Sequence, residues 1–192
     1  MELLEQKIIE NGIVIGSDIL KVDMFLNHQI DIELLNGMGE EFYRLFHFEN
    51  VNKIVTVEAS GIGIACIAAQ YFKVPVVFAK KADSRNLDRD VYQSTVYSFT
   101  KEREYTIRIS EKYLSNSDRV LIVDDFLANG RAALGLIDII EQAGGIVCGV
   151  GVAIEKGYQG GRALIEEKGI RVEALANIDS MSETEGIRFK RR

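Results

Sequence analysis

The stretch VLIVDDFLANGRAALG, from Val120 to Gly135, holds the residues best suited to chemistry. A β-branched run ends in two adjacent carboxylates, Asp124 and Asp125, and then enters a helical pattern through Ala-Asn-Gly. Neighbouring acids repel one another and are costly near a core unless something binds them. In an open parallel sheet, ligands bind beyond the carboxyl ends of the strands, where helix N-termini present unpaired N–H groups. The turn Ala128-Asn129-Gly130-Arg131-Ala132 could wrap its backbone amides around a phosphate, with the helix dipole favouring the charge. Acids followed by a phosphate cradle suit a ribose phosphate. The carboxylates would accept hydrogen bonds from the sugar hydroxyls while the turn held the 5′-phosphate. Taken as bare residues, paired aspartates are more often a solvated turn or a helix cap. The strand before them and the turn after them favour the binding site.

Other residues carry chemistry less specifically. Gly61-Ile62-Gly63-Ile64-Ala65-Cys66 follows a strand and opens a helix, like the start of a dinucleotide-binding G-x-G-x-x-G. Cys66 replaces the third small residue, however, and the next strand ends in Lys80 and Lys81 instead of the acid that would hold an NAD ribose. Lys81 could reach a pyrophosphate as a donor-only cation, or lie solvated. The polar segment KKADSRNLDRD from Lys80 is long for a connection and is open to two readings, a lid or a solvated linker. Phe126, directly after the acids, could wall a base or belong to the core. His28 and His47 are isolated and take no role, and no strong general base stands out.

The elements that must position these residues alternate. KIVTVEA from Lys53, VPVVFAK from Val74, RVLIVDD from Arg119 and CGVGVAI from Cys148 read as buried strands. ELLNGMGEEFYRLFHF, GIACIAAQYF and RAALGLIDIIEQAGG carry apolar residues at helical spacing, the last stopping at Gly144 and Gly145. Strand and helix in alternation predict an α/β fold with a mainly parallel central sheet covered by helices on both faces. QSTVYSF and EYTIRIS break the pattern: they alternate with period two around TKER and predict a projecting antiparallel β-hairpin. Residues 1–50 have a different texture and would form an N-terminal hood over the sheet, so that 1–192 is a single domain.

Composition narrows the field. The chain has 192 residues with 47% apolar content, enough for a sizeable core. A net charge of -6 leaves no electrostatic footprint for nucleic acid, and the terminal FKRR reads as a solvated tail. Cys66 and Cys148 both lie in apolar runs, which predicts buried, reduced thiols rather than a disulfide or metal site, and points to the cytoplasm. MELLEQKIIENG has helical spacing and no signal-peptide pattern. The longest uncharged apolar stretch, between Glu58 and Lys73, is shorter than the ~20 residues that cross a bilayer, so a soluble protein away from membranes is expected.

VLIVDDFLANGRA resembles the phosphoribosyl pyrophosphate signature of type I phosphoribosyltransferases. The commoner form has Thr-Gly-Gly-Thr where this chain has Asn129-Gly130-Arg131-Ala132, so two hydroxyl donors are absent and backbone amides would carry more of the phosphate. The Ala-Asn-Gly turn, together with LKVDMFLNHQID, TVEASGI, VYSFTK and AIEKGYQGGR, is similar to the bacterial branch of the family that acts on xanthine. This resemblance implies a type I phosphoribosyltransferase fold and transfer of the phosphoribosyl group to N9 of xanthine, with Mg2+ as cofactor and a homodimer as the working form. Guanine or hypoxanthine as acceptor, and a purine-sensing regulator of the same fold, are the alternatives. No basic helix-turn-helix supports the regulator. The resemblance makes Asp124 and Asp125 catalytic, gives Ser60, Lys81 and 128–132 to the donor, and gives Leu20, Asn27 and Lys156 to xanthine; Phe126 joins the xanthine set on its position alone. It assigns no residue directly to the metal.

Overall fold

A strand of nine residues, β7 (Arg119–Leu127), carries the aspartate pair through the middle of an eight-stranded sheet. The computed structural model describes residues 1–82, 90–98 and 103–191. Around β7 lie β3 (Lys53–Val57), β4 (Val76–Ala82), β8 (Ile146–Lys156) and β9 (Val172–Ser182), all parallel to their neighbours among this set. The β-branched runs of β3, β7 and β8 are buried on both sides, as strands under helices must be. A hairpin, β5 (Val91–Ser98) and β6 (Arg103–Ser110), extends the sheet antiparallel from β4, and β10 (Gly186–Phe189) closes the opposite edge against β9. The order across the sheet is β10-β9-β8-β7-β3-β4-β6-β5.

Each face has its own core. One is covered by α1 (Glu2–Asn11), α2 (Ile32–Phe46) and α3 (Ser60–Phe72), with Leu4, Phe42, Phe46 and Ile64 packed on Leu121 and Val123. The other is covered by α4 (Arg131–Gln142) and α5 (Gly161–Glu166), with Leu136, Ile140 and Ile165 on Val120 and Ile122. Glycines in β8 let α2 settle on the sheet: a Cβ on Gly149 would lie 2.5 Å from the Phe46 ring and one on Gly151 2.9 Å from the Phe42 ring. Burying each such aromatic is worth about 1.5–3 kcal/mol. Asp31 caps α2 through the Leu34 amide (3.1 Å) and pairs with Lys7 of α1 (2.8 Å), which ties α1 to α2.

The N-terminal region also contains a short hairpin, β1 (Ile13–Ile15) and β2 (Ile19–Lys21), and a π-helical turn from Asp23 to Asn27. The predicted strands, helices and β5–β6 hairpin all form, and α4 ends before Gly144, which takes φ +73°. Three expectations change. Cys148 is buried, but Cys66 is exposed, because Ile64, Ala65, Ala68 and Ala69 already fill the inner face of α3 and Cys66 falls on the outer one. The FKRR end is not all tail: Phe189 ends β10 and packs on the first core, while the Lys190 amide donates to Asn177 O (2.8 Å). The predicted strand end at the acids is also displaced, since β7 continues past them to Leu127. Most of the polar segment after Lys80, 83–89, and the hairpin tip, 99–102, lie outside the described residues. Among the described residues no helix is long and apolar enough to cross a membrane.

Candidate active site

Asp124 is only 6% exposed, whereas Asp125 beside it is half-buried. The Asp125 amide donates to Asp124 Oδ1 at 3.0 Å. Burial pushes the Asp124 carboxyl well above the usual carboxylate range, and the neighbouring Asp125 adds to the rise; Lys81 pulls the other way. An unrelieved acid pair of this kind is a place for a hydrogen-bond donor or a cation.

The start of α3 meets the pair from one side. Ser60 is its first residue, and the helix enters so closely that a Cβ on Gly61 would lie 2.8 Å from Asp124 Oδ1 and would strike the Thr56 hydroxyl. Thr56 is fully buried and its hydroxyl has no hydrogen-bond partner, a polar atom that sequence reading did not single out. The Glu58–Ala59 peptide before the helix is cis. Glu58 Oε1 accepts the Lys81 amide at 2.6 Å, which fixes the end of β4 beside this turn. Lys81 itself is exposed, with its ammonium 5.6 Å from the centroid of the Tyr105 ring. Two helix N-termini, α3 and α4, therefore stand at the carboxyl ends of β3 and β7.

Beyond the acids, β7 gives way to a turn that places Gly130 at φ +74°, directly before α4. A left-handed backbone here suits glycine and leaves the first amides of α4 unpaired. Ala128, Asn129, Gly130, Arg131 and Ala132 line one side of a pocket of ≈ 200 Å³ whose other side is Tyr97 and Tyr105 of the hairpin. Arg131 is exposed at the first turn of the helix. A larger cavity, ≈ 1160 Å³, runs along β9 and β10 and touches none of these residues; Arg162 and Arg171 on its wall already pair with Glu155 and Glu173.

At the neighbouring strand, Lys156 ends β8 with its ammonium 5.9 Å from the Phe126 ring centroid. Phe126 is half-buried and packs on the first core, so it serves as core and as a ring beneath Lys156 together. Desolvation lowers the Lys156 pKa, partly offset by Asp18. The tip of the β1–β2 hairpin is held over this end of the sheet: Lys156 donates to Asp18 O, Tyr158 to Ser17 O (3.2 Å), and the Gly16 amide to Glu183 (2.7 Å). Leu20, in β2 of that hairpin, is buried in the first core. Asn27 is exposed at the end of the π-helical turn and does not share the Lys156–Phe126 contact.

Residues 21–173 match the phosphoribosyl transferase domain. The chain belongs to the phosphoribosyltransferase family. This phosphoribosyltransferase is 62% identical over 181 residues to a xanthine phosphoribosyltransferase of Ruminiclostridium cellulolyticum, covering 94% of this chain and 95% of that one. It is 58% identical over 182 residues to the enzyme of the same name from Clostridioides difficile, with 94% and 96% covered. Its fold matches the crystal structure of adenine phosphoribosyltransferase from Rhodothermus marinus with a TM-score of 0.74 at 20% identity, over 92% of this chain and 99% of that one. The yeast adenine phosphoribosyltransferase, complexed with adenine and an imino-altritol bisphosphate, gives 0.73 at 18% identity, over 91% and 99%. These likenesses carry the fold alone.

Proposed function

We propose that this phosphoribosyltransferase makes xanthosine 5′-monophosphate in purine salvage, from 5-phosphoribosyl 1-pyrophosphate and xanthine. The observation that carries the reading is the continuous run from the buried acid pair through the Gly130 turn into α4, a ribose site joined to a phosphate site on one strand end. The N9–C1′ bond forms as the bond from C1′ to pyrophosphate breaks, and the purine releases a proton. Positive charge builds on the sugar ring, so the chain acts chiefly by positioning and by receiving the departing anion. Asp124 and Asp125 hold the ribose hydroxyls. The amides of 128–132, with Arg131, hold the 5′-phosphate, and Ser60 at the head of α3 faces pyrophosphate together with Lys81.

The chemistry of the acid pair fits Mg2+, a hard ion that prefers oxygen ligands and keeps donor phosphates, hydroxyls and waters around it. Asp124 and Asp125 would hold it directly or through water, and when bound it supplies charge neutralisation for the leaving pyrophosphate. We further propose a cytoplasmic homodimer; only monomer in sedimentation at micromolar concentration would remove that part.

Xanthine would lie between Phe126 and the hood, its 6-oxo group taking a hydrogen bond from Lys156, its 2-oxo group one from Asn27, with Leu20 along the ring. Lys156→Met keeps the apolar stem and removes the donor. It should raise the KM for xanthine by about tenfold or more, the worth of a charged hydrogen bond, and leave the donor KM within about twofold. An unchanged xanthine KM would strike Lys156 from the base site.

A further inference from the structure

The segment after β8, GYQGGR from Gly157 to Arg162, comes back to the phosphate turn from behind. The Gly161 amide donates to Ala128 O at 3.1 Å. A Cβ on Gly161 would strike Ala128 O and would lie 2.6 Å from the Gly130 amide nitrogen and 2.9 Å from the carbonyl carbon of Asn129. From the other side, a Cβ on Gly130 would lie 3.1 Å from Gly161 Cα. Two backbones touch here with no side chain between them. There is no room for one methyl group.

The next residue fixes this contact to the sheet. Arg162 donates through Nε and Nη2 to Glu155 at 2.9 and 2.6 Å, and through Nη1 to Val172 O at 2.7 Å and Glu166 at 3.1 Å. Glu155 is 2% exposed and also accepts from Asn177 Nδ2 at 2.8 Å. A two-pronged, charge-assisted pair of this kind sets position as well as energy. Gly161 is thereby held against the turn by a buried anchor in β8, one residue before Lys156.

We propose that Gly161 is a positioning residue for the donor: its backbone is the rear wall that sets where the amides of 128–130 point, and the Arg162–Glu155 pair keeps that wall in place. The proposal rests on reading 128–132 as the donor phosphate site. The same loop begins at Lys156 on the base side, which separates two outcomes. A displaced turn weakens the donor alone, whereas a disordered loop weakens both substrates.

The experiment uses full-length Gly161→Ala and Glu155→Gln. Binding of phosphoribosyl pyrophosphate with Mg2+ is measured by calorimetry without base, steady-state KM is measured for both substrates, and thermal melting reports folding. For Gly161→Ala the donor Kd and KM should rise by about tenfold or more, with xanthine KM within about twofold. Glu155→Gln should raise the donor KM in the same direction by about threefold, because the anchor loses its charge but keeps its volume. Folded Gly161→Ala with unchanged donor affinity, or with both KM values raised alike, overturns the proposal. If Gly161→Ala does not fold, an unchanged donor affinity in Glu155→Gln overturns it instead. Wild-type protein that fails to bind the donor overturns the functional reading itself; wild-type binding with unaffected variants overturns only the role of Gly161.

Discussion

Asp124→Asn and Asp125→Asn are each expected to lower turnover by about 100-fold while the protein stays folded, because ribose positioning is lost without a change of side-chain volume. The two variants should differ in stability. Asp124 is buried with its pKa raised above the ordinary 3.8, first by desolvation and then by Asp125. Between the unfolded value and the raised folded one, the native state holds more protons than the unfolded chain, so this group makes stability fall as pH climbs through that window. Asparagine cannot ionise. Asp124→Asn should therefore melt above wild type, by about 2–4 °C for each ~1 kcal/mol relieved in a chain of this length. The gap should widen from near pH 4 upward and level off once Asp124 is fully ionised. Activity assays beside melting curves across pH check both halves. Near-normal turnover in both variants would remove the acid pair from catalysis, and a melting gap that narrows with pH would contradict the buried acid.

Gly130→Val should cost the enzyme its donor. Gly130 has φ +74°, a region in which a β-branched residue is strained, and the new side chain would point at Gly161 Cα and O, both 3.1 Å from the Cβ position. Neither neighbour is a flexible side chain that can swing away. The turn must shift, and its amides with it. The KM for phosphoribosyl pyrophosphate should rise by about 100-fold, with a loss of donor binding by calorimetry. Unchanged donor affinity would place the phosphate cradle elsewhere.

Much of the proposed donor site was legible in the chain because its chemistry is local. The acids, the small turn and the helix start occupy consecutive positions in VLIVDDFLANGRA, so strand and helix periodicity alone set them in order. The β5–β6 hairpin was legible for the same reason. What the sequence hid is long-range. Gly61 packs against both the Thr56 hydroxyl and Asp124 only because β3 and β7 are neighbours, and Gly161 meets Ala128 only after β8 has crossed the sheet. Glu155 reads as a strand-end charge in AIEK; its partner Arg162 becomes visible as such only when the loop folds back. VEALANIDSMS, which forms β9, mixes alanine, asparagine and aspartate and lacks a β-branched run, so nothing in it announced a strand at the sheet's far side. Cys66 was misplaced because an all-apolar helix gives no period from which to tell its inner from its outer face.

The choice of base is tested most directly by one comparison: phosphoribosyl pyrophosphate and Mg2+ supplied with xanthine, guanine, hypoxanthine or adenine, and kcat/KM measured for each. Lys156 offers only donors, so it meets a 6-oxo group well and the 6-amino group of adenine donor to donor. An Asn27 amide turned to donate toward the 2-position favours the 2-oxo group of xanthine over the 2-amino group of guanine, and hypoxanthine has no group there to accept it. Xanthine should have the highest kcat/KM and adenine the lowest. Guanine ahead of xanthine would reverse the orientation of Asn27, and adenine as the best acceptor would contradict both the role of Lys156 and the synthesis of xanthosine monophosphate.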